Sequence, residues 1–273
     1  YSLGMKVPVL VLTRADRTSL YPLRDIAYNI EKAEKGDNIV VLGEDQKLYQ
    51  EQIAASLKEL ELKPPRVVHY SFILLQEGKM STRKGNLVLL EEFMKEALKK
   101  SSEELKKRYG KGNEKSAKAI AYGAIKFGIL KVSPEKNVIF DWKQALSFEG
   151  ETSPYIQYAY ARISSILRKC KSKKSLLRSD FFANLKEKEE TELIRIISNF
   201  PDVVKKATEE MRPHLIANYL YSLAQKLNEY YHAHQILKAD SKVRDARLLL
   251  VSAVRQVLKN GLGLLGINVL EKM

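Results

Sequence analysis

Residues 38–75, NIVVLGEDQKLYQEQIAASLKELELKPPRVVHYSFILL, decide the class of fold. Two apolar runs rich in β-branched residues, 38–43 and 66–75, are typical of buried strands. Residues 47–60 between them have apolar residues at helical spacing, and the prolines that follow predict the end of that helix. A strand, a helix and a second strand in this order favour a parallel sheet with right-handed crossovers.

The segments before this stretch continue the pattern. Residues 7–13 (VPVLVLT) predict a further strand, and residues 23–35 predict a further helix. Because the chain starts almost directly on a strand, we expect only about half of a doubly wound, Rossmann-like parallel sheet. We assign this α/β portion to residues 1–110.

The pattern changes after a glycine-containing stretch at residues 110–113, where we expect a hinge or loop. Apolar residues then recur at helical spacing, and Ser153 before Pro154 is typical of a helix start. We therefore expect an all-α helical bundle as a second domain over residues 111–273. Its predicted helices are 114–132, 154–170, 187–207, 214–237 and 241–260.

Charge is the most unusual feature of the composition. The 273-residue chain has 47 Lys and Arg and 33 Asp and Glu, which give a formal net charge of +14. Residues 1–100 hold 16 of the basic and 14 of the acidic side chains, so most of the excess lies in the second part. Lys and Arg neutralise phosphates, and the excess therefore points to nucleic acid. Lys-rich helices that merely face water are the alternative.

The rest of the composition excludes several classes of protein. A 45% hydrophobic content provides a core and argues against a disordered tail. A single cysteine, Cys170, excludes an internal disulfide and a cysteine zinc cluster. His232 and His234 have no third ligand nearby in sequence, so no metal site is predicted. Without a leader or an apolar run of about 18–20 residues, we expect a soluble, cytoplasmic protein.

Residues 78–86, GKMSTRKGN, carry the strongest local signal for chemistry. They follow a predicted strand, are flanked by glycines, and include Lys79, Arg83 and Lys84. Glycines let backbone N–H groups approach a phosphate, and cations stabilise the charge on it. The spacing differs from that of a Walker A loop. An ordinary surface turn is the alternative.

Three residues of the first part indicate a small-molecule site. Tyr21 and Asp25 are four residues apart and would share a face near the start of a helix. A phenol and a carboxylate there can hold a cationic group, although an ordinary surface pair has the same spacing. Gln46 comes directly after a predicted strand, and small ligands bind at the carboxyl ends of parallel strands.

Aromatic residues mark the predicted bundle. Tyr155, Tyr158 and Arg162 lie at i, i+3 and i+7 and so share one helix face. Tyrosines beside an arginine on a basic domain suit stacking on unpaired bases. A bundle core that uses tyrosines is the alternative.

Taken together, these residues resemble the arginyl-tRNA synthetases, which are class I aminoacyl-tRNA synthetases. Residues 79–85 (KMSTRKG) are similar to the family's KMSKS-type loop, and residues 21–25 (YPLRD) to a segment of its catalytic domain. The resemblance runs from about Val9 to Met273. Its further motifs are FDW at 140–142, GETSPYIQYAYAR at 150–162 and DARL at 245–248, the last similar to the "DALR" motif.

The resemblance implies an arginine–tRNA ligase, which uses ATP, L-arginine and tRNA(Arg). Tyr21, Asp25 and Gln46 match positions that hold arginine, with the carboxylate facing the guanidinium, and Lys79, Arg83 and Lys84 match catalytic positions. The loop that closes over ATP would consist of Lys79, Met80, Ser81, Thr82, Arg83, Lys84 and Gly85. The residues that match contacts to tRNA are Tyr155, Tyr158, Arg162, Tyr231 and Met273.

Two departures from the family pattern are visible. Thr82 stands where the pattern has its second lysine, and Arg83 or Lys84 would take that role. The HIGH-type ATP-binding motif and an N-terminal tRNA-contacting domain would lie before Tyr1, so the chain resembles the C-terminal half of a synthetase, and we expect it to be inactive alone. The resemblance further implies ATP as substrate with Mg²⁺, no tightly bound cofactor, no membrane contact and a monomer at full length.

Two other functions stay open. A non-catalytic tRNA-binding module derived from a synthetase is the first, although such a module has no reason to keep Tyr21, Asp25 and the loop at 79–85. A generic nucleic-acid binder is the second, and it predicts equal affinity for any single strand.

Overall fold

A computed structural model describes residues 9–75, 89–110, 113–170 and 183–273. They form two compact units. The first unit is the chain up to Phe72 together with Pro134–Asn137, and the second is Ile73–Ser133 and Val138–Met273. The sequence predicted a domain boundary after residue 110. Residue 110 lies inside the second unit, and that boundary stays a prediction.

The first unit combines helices with a parallel pair of strands. Its elements, in chain order, are α1 (Tyr21–Ala33), β1 (Ile39–Gly43), a 3₁₀ helix (Glu44–Gln46), α2 (Lys47–Glu59) and β2 (Arg66–Tyr70). β1 and β2 pair in parallel, from Ile39 opposite Arg66 to Gly43 opposite Tyr70, which confirms the predicted parallel pairing. Ile26 of α1 forms the core with Ile53 and Leu57 of α2.

The strand predicted for residues 7–13 is wrong over its described part. The segment from Val9 to Thr13 makes only an isolated antiparallel bridge, between Thr13 and Ser19. A tight turn separates these two residues, and Asp16 accepts a hydrogen bond from the backbone N–H of Thr18 at 2.9 Å. The β-branched residues extend the backbone here, but within residues 9–75 they have no strand to pair with.

The strand predicted for residues 66–75 is two strands in different sheets. It breaks at Ser71 and Phe72, whose backbone N–H groups donate to the carbonyl oxygen of Pro134 at 2.8 Å and to Asn137 Oδ1 at 3.2 Å. After the break, β3 (Ile73–Leu75) pairs in parallel with β4 (Val138–Phe140) in the second unit. β4 was not predicted, because three residues are too few for a periodic signal.

Helices form most of the second unit. They are α3 (Leu90–Tyr109), α4 (Glu114–Leu130), α5 (Trp142–Ala145), α6 (Ser153–Lys169), α7 (Lys188–Ser198), α8 (Phe200–Glu209), α9 (His214–Ala233) and α10 (Ser241–Leu264). The largest core lies among α6, α7, α9 and α10, which confirms the helical bundle. Among the residues that the structure describes, no helix combines the length and apolarity needed to span a bilayer.

Two predicted features of these helices are wrong. The helix predicted for 187–207 is α7 followed by α8, because Pro201 in the first turn of α8 lacks an N–H group and its ring crowds the preceding turn. The last helix, predicted to end at residue 260 before Gly261, runs on to Leu264, so Gly261 lies inside α10. Leu220 packs so closely there that a Cβ on Gly261 would lie 2.5 Å from Leu220 Cδ2.

Candidate functional site

Asp25 is the centre of a polar cluster in the first unit. It lies one turn into α1, and its side chain is half-buried. The hydroxyl of Tyr49, near the start of α2, donates to Asp25 Oδ2 at 3.2 Å. Asn29 Nδ2 donates to the carbonyl oxygen of Asp25 at 2.8 Å and lies 3.4 Å from Oδ1. Donors from two helices therefore orient the carboxylate and leave it lone pairs for a cation.

Tyr21 lies beside the same cluster. Its ring centroid is 5.5 Å from that of Tyr49, and its side chain is exposed. Burial, the charge of Asp25 and the hydrogen bond to Asp25 raise the pKa of Tyr49. Tyr49 therefore stays a neutral donor to the carboxylate, and the exposed phenol of Tyr21 is next to it.

Sequence reasoning missed two members of this cluster. Asn29 follows Asp25 by four residues on α1, a spacing that places both on one helix face. Tyr49 follows Asp25 by 24 residues, and no local motif joins these two. The one available signal is its place three residues after Gln46, at the carboxyl end of β1. Gln46 itself is exposed, and its Nε2 donates to Asp45 Oδ2 at 3.0 Å. Within residues 9–75, no hydrogen bond joins Gln46 to Tyr21 or Asp25.

The glycine-flanked loop at 78–86 lies outside the described residues. What we expect of Lys79, Met80, Ser81, Thr82, Arg83, Lys84 and Gly85 therefore stays a prediction.

In the second unit, Arg162 lies between two tyrosine rings. Its guanidinium carbon is 4.8 Å from the ring centroid of Tyr158 on α6 and 4.7 Å from that of Tyr231 on α9. Arg162 Nη1 also donates to Asn228 Oδ1 at 2.8 Å. Cation–π contacts to both rings and a hydrogen bond at the edge hold the guanidinium in place. Tyr231 is 40% exposed, so part of its ring faces solvent.

A groove of about 390 Å³ lies beside this stack. Arg162 and Tyr231 line it together with Lys169, His232 and Lys238. Its volume is in the range of small-ligand sites. Aromatic and basic side chains in one groove suit a flat ring that carries a phosphate.

Tyr155 and Met273, which were also expected at an RNA surface, are partly buried. Tyr155 packs on the main core, with its ring centroid 5.7 Å from that of Tyr221. Met273 packs on a second hydrophobic cluster, on which Tyr158 also packs. The core therefore supports Tyr155, which is only partly buried, and Met273 shares its cluster with Tyr158. The expected tRNA contacts of Tyr155 and Met273 stay predictions.

Two family models match the chain. The model described as the catalytic domain of class I tRNA synthetases (R) matches residues 1–142, and the DALR anticodon binding domain matches residues 156–273. The first match covers more than half of the chain. The chain belongs to the arginyl-tRNA synthetase family.

Members of this family from archaea are similar over almost the whole chain. The arginine–tRNA ligase of Archaeoglobus fulgidus is 42% identical over 267 residues, which are 97% of this chain and 48% of that protein. The arginine–tRNA ligase of Methanocaldococcus jannaschii is 44% identical over 263 residues, which are 95% and 46%. The structure of Thermus thermophilus arginyl-tRNA synthetase, 29% identical, matches with a TM-score of 0.87 over 99% of this chain and 53% of that one. This chain thus spans about half the length of the curated relatives it matches.

The DARL residues of this arginyl-tRNA synthetase family member have a structural role. Arg247 is buried, and its Nε donates to Oε1 of the completely buried Glu190 at 2.7 Å. The hydroxyl of Tyr230 donates to the same oxygen at 3.2 Å, and Arg247 Nη1 donates to the carbonyl oxygen of Gln235 at 3.1 Å. The motif arginine therefore joins α7, α9 and α10 and holds Gln235, which lines the groove beside Tyr231.

A histidine of the same region has acidic neighbours that sequence spacing did not reveal. Glu187, Glu189 and His234 place carboxylate and imidazole atoms within 4.8 Å of one another. His234 Nε2 lies 3.1 Å from Glu189 Oε2, and the side chain of Glu187 caps the first turn of α7. These contacts within the protein account for the cluster, and we assign no metal to it.

Proposed function

We propose that this chain is part of an arginine–tRNA ligase, which converts ATP, L-arginine and tRNA(Arg) to arginyl-tRNA(Arg), AMP and diphosphate. The observation that carries the proposal is the Asp25 carboxylate, oriented by Tyr49 and Asn29 next to the exposed ring of Tyr21. In a member of the arginyl-tRNA synthetase family, such a carboxylate suits the guanidinium of the substrate.

Pairing of the Asp25 carboxylate with a guanidinium explains why arginine would be bound in preference to lysine. A carboxylate can receive two parallel hydrogen bonds from a planar guanidinium, whereas the ammonium of lysine is a point charge. Because Asp25 is already oriented, it meets the guanidinium with little loss of side-chain freedom. Tyr21 adds a phenol beside the carboxylate, and Gln46 contacts the substrate from the end of β1. Asp25 therefore selects arginine over lysine.

The proposed reaction has two steps. A carboxylate oxygen of arginine attacks the α-phosphorus of ATP, the bond to the bridging oxygen breaks, and diphosphate leaves. A ribose hydroxyl at the tRNA terminus then attacks the carbonyl carbon and gives up its proton, the bond from that carbon to the phosphate oxygen breaks, and AMP leaves. Lys79, Arg83 and Lys84 stabilise the negative charge that develops on the phosphates of ATP, to which Mg²⁺ bound with ATP would add its own positive charge. Met80, Ser81, Thr82 and Gly85 complete the loop over the nucleotide.

The chain corresponds, in this proposal, to the C-terminal half of the synthetase. Its match to about half of each curated relative supports its being one part of a longer protein. Residues 1–110 would end the catalytic domain with the KMSKS-type loop, and residues 111–273 would bind the anticodon. We expect the complete protein to be a cytoplasmic monomer, and this chain alone to form no arginyl-adenylate.

The Tyr158–Arg162–Tyr231 stack is the proposed reader of the tRNA anticodon. An unpaired base stacks on the exposed part of Tyr231, while Arg162 and Tyr158 support that ring from the other side. Lys169 and Lys238 in the adjacent groove attract the neighbouring phosphates. Met273 completes the surface from the cluster that Tyr158 shares.

Replacement of Tyr231 tests this reader. We expect Tyr231→Ala to weaken binding of a tRNA(Arg) transcript by about 1–3 kcal/mol, the usual value of one base-stacking ring, and to change binding of an unrelated RNA little. Fluorescence anisotropy at fixed salt measures both affinities. Tyr28→Ala is the matched control, because Tyr28 is also an exposed tyrosine under a cation, with Lys32 Nζ 4.3 Å from its ring centroid.

Equal losses for both RNAs would instead favour a generic nucleic-acid binder. A non-catalytic tRNA-binding module would keep the effect of Tyr231 but have no use for Asp25. The contacts that orient Asp25, from Tyr49 and Asn29, argue against that function.

A further inference from the structure

The C-terminal segment after α10 is held to its neighbours by side chains. Gln157 Nε2, buried on α6, donates to the carbonyl oxygen of Asn268 at 2.7 Å. Lys126 Nζ on α4 donates to the carbonyl oxygen of Gly266 at 2.5 Å. Ile267 and Leu270 are buried. The path of this segment is therefore fixed as far as Leu270.

Glu271 makes the last polar contacts of the segment. Its Oε1 accepts hydrogen bonds from the hydroxyl of Tyr160 at 2.8 Å and from Arg255 Nη2 at 2.6 Å. Its carbonyl oxygen accepts from Arg168 Nη1 at 2.7 Å, and the same guanidinium lies 3.8 Å from Oε2. Tyr160 and Arg168 lie on α6 and Arg255 on α10, so one residue ties the chain end to two helices.

The side chains that bind Glu271 are held in place by further contacts. Tyr160 is completely buried, and the guanidinium carbon of Arg255 lies 4.8 Å from its ring centroid. Arg255 Nε also donates to Ser164 Oγ at 2.8 Å. The groups that receive Glu271 are thus held in place by contacts of their own.

Two residues beyond Glu271, Met273 packs on the cluster that also supports Tyr158. We propose that Glu271 is a positioning residue, whose carboxylate fixes the terminal Met273 and through it the Tyr158 end of the RNA-reading stack. This inference rests on the proposed tRNA function. It predicts that loss of the Glu271 charge lowers discrimination between anticodons, although Glu271 itself touches no RNA.

The test compares two matched variants of the full chain. Glu271→Gln removes the charge, and Glu31→Gln is the control, because the two carboxylates are 57% and 59% exposed and each pairs with a cation at 2.6 Å. The readout is the ratio of affinities for a tRNA(Arg) transcript and for the same transcript with its anticodon replaced. We expect Glu271→Gln to lower this ratio by roughly two- to fivefold, the factor that a half-exposed ion pair usually contributes, and Glu31→Gln to leave it unchanged.

A second readout follows Met273 directly. The chain has five methionines, and the variant Met273→Leu assigns the methyl NMR signal of Met273. That signal should shift in Glu271→Gln and not in Glu31→Gln. Tyr160→Phe removes one hydrogen bond to Glu271 and keeps the ion pair, so it should shift the Met273 signal in the same direction but less. If Glu271→Gln does not fold, Tyr160→Phe tests the positioning role instead.

Failure of the positioning role of Glu271 and failure of the proposed tRNA function give different results. If the unaltered chain discriminates between the two transcripts and Glu271→Gln discriminates equally well, the positioning role is overturned. If the unaltered chain does not discriminate, the proposed function has failed. The Met273 signal then decides the positioning role alone, and an unmoved signal overturns it.

Discussion

The ion pair between Arg247 and Glu190 is almost completely removed from water, with side chains 10% and 0% exposed. Removal of one partner from such a pair leaves the other charge buried without compensation. We therefore expect Arg247→Met to lower the free energy of unfolding by about 3–5 kcal/mol. Urea unfolding followed by circular dichroism measures the change.

Arg195→Met provides the comparison, because Arg195 is an exposed arginine on α7. It should change the free energy of unfolding by no more than about 0.5 kcal/mol. If Arg247→Met were equally mild, Arg247 would not be the link between the helices that its contacts indicate.

The charge of Glu271 gives a pH-dependent prediction. Partial burial opposes its ionisation, but hydrogen bonds from Tyr160 and Arg255 outweigh that effect and lower the pKa of Glu271 below its ordinary 4.5. A lowered pKa stabilises the folded state above the ordinary value, and the contribution is lost as pH falls through the folded-state pKa. The unaltered chain should therefore unfold at a higher temperature than Glu271→Gln at neutral pH. This difference in unfolding temperature should shrink only when the pH falls below the ordinary pKa of glutamate. If the two proteins unfolded at the same temperature at neutral pH, the lowered pKa of Glu271 would be contradicted.

Residue spacing predicted neighbours along a helix better than neighbours between helices. The four-residue spacing of Tyr21 and Asp25 placed both on one face of α1. It could not reveal Tyr49, which reaches Asp25 only because α1 and α2 pack together. The same limit applies to Arg162, which lies between Tyr158 and Tyr231, because no spacing on α6 indicates where α9 will lie.

At the scale of elements, Thr152 sets the start of α6. Its Oγ1 accepts a hydrogen bond from the backbone N–H of Tyr155 at 3.2 Å and donates to the carbonyl oxygen of Ser147 at 2.6 Å. Thr152→Ala should lower the free energy of unfolding by about 1–2 kcal/mol, the usual loss for an N-cap.

Thr208→Ala is the matched control for the cap. Thr208 is exposed near the end of α8, and its hydroxyl donates to the carbonyl oxygen of Val204 within the same helix. Its replacement should change the free energy of unfolding by no more than about 0.5 kcal/mol. Equal effects of the two replacements would mean that Thr152 does not cap α6.

Helices and strands were predictable where local pattern decides them. The parallel pairing of β1 with β2 follows from the order of elements. The break at Ser71 and Phe72 does not, because it depends on Asn137, which is 65 residues beyond Phe72. The break between α7 and α8 was within reach of the sequence, since Pro201 alone interrupts a helix.

At the scale of the whole molecule, the net charge of +14 predicts salt-sensitive binding of tRNA. Each phosphate that a lysine neutralises adds about 0.7–0.9 to the slope of log affinity against log salt. Replacement of both Lys169 and Lys238 by Gln should therefore reduce the slope by about 1–2. The same change at Lys205 and Lys259, which are exposed lysines outside the groove, should leave the slope nearly unchanged. A larger change of slope in this second variant than in the first would mean that the RNA binds elsewhere.

One face of the sheet in the first unit carries exposed apolar side chains. Ile39 and Val41 lie on the same side of β1, because alternate residues of a strand share a face, and both are exposed. Exposed β-branched residues on a strand favour association with further polypeptide.

The most direct test of the proposed arginine–tRNA ligase activity is arginine-dependent exchange of labelled diphosphate into ATP. It is measured for this chain alone and together with a polypeptide corresponding to the unmatched half of the Archaeoglobus fulgidus relative. We expect no exchange by the chain alone and exchange by the pair. The exchange should be lost in Asp25→Asn and kept in Asp37→Asn, which alters an exposed aspartate paired with Lys63. No exchange by the pair, or exchange that survives Asp25→Asn or accepts lysine as well as arginine, would contradict the proposed function.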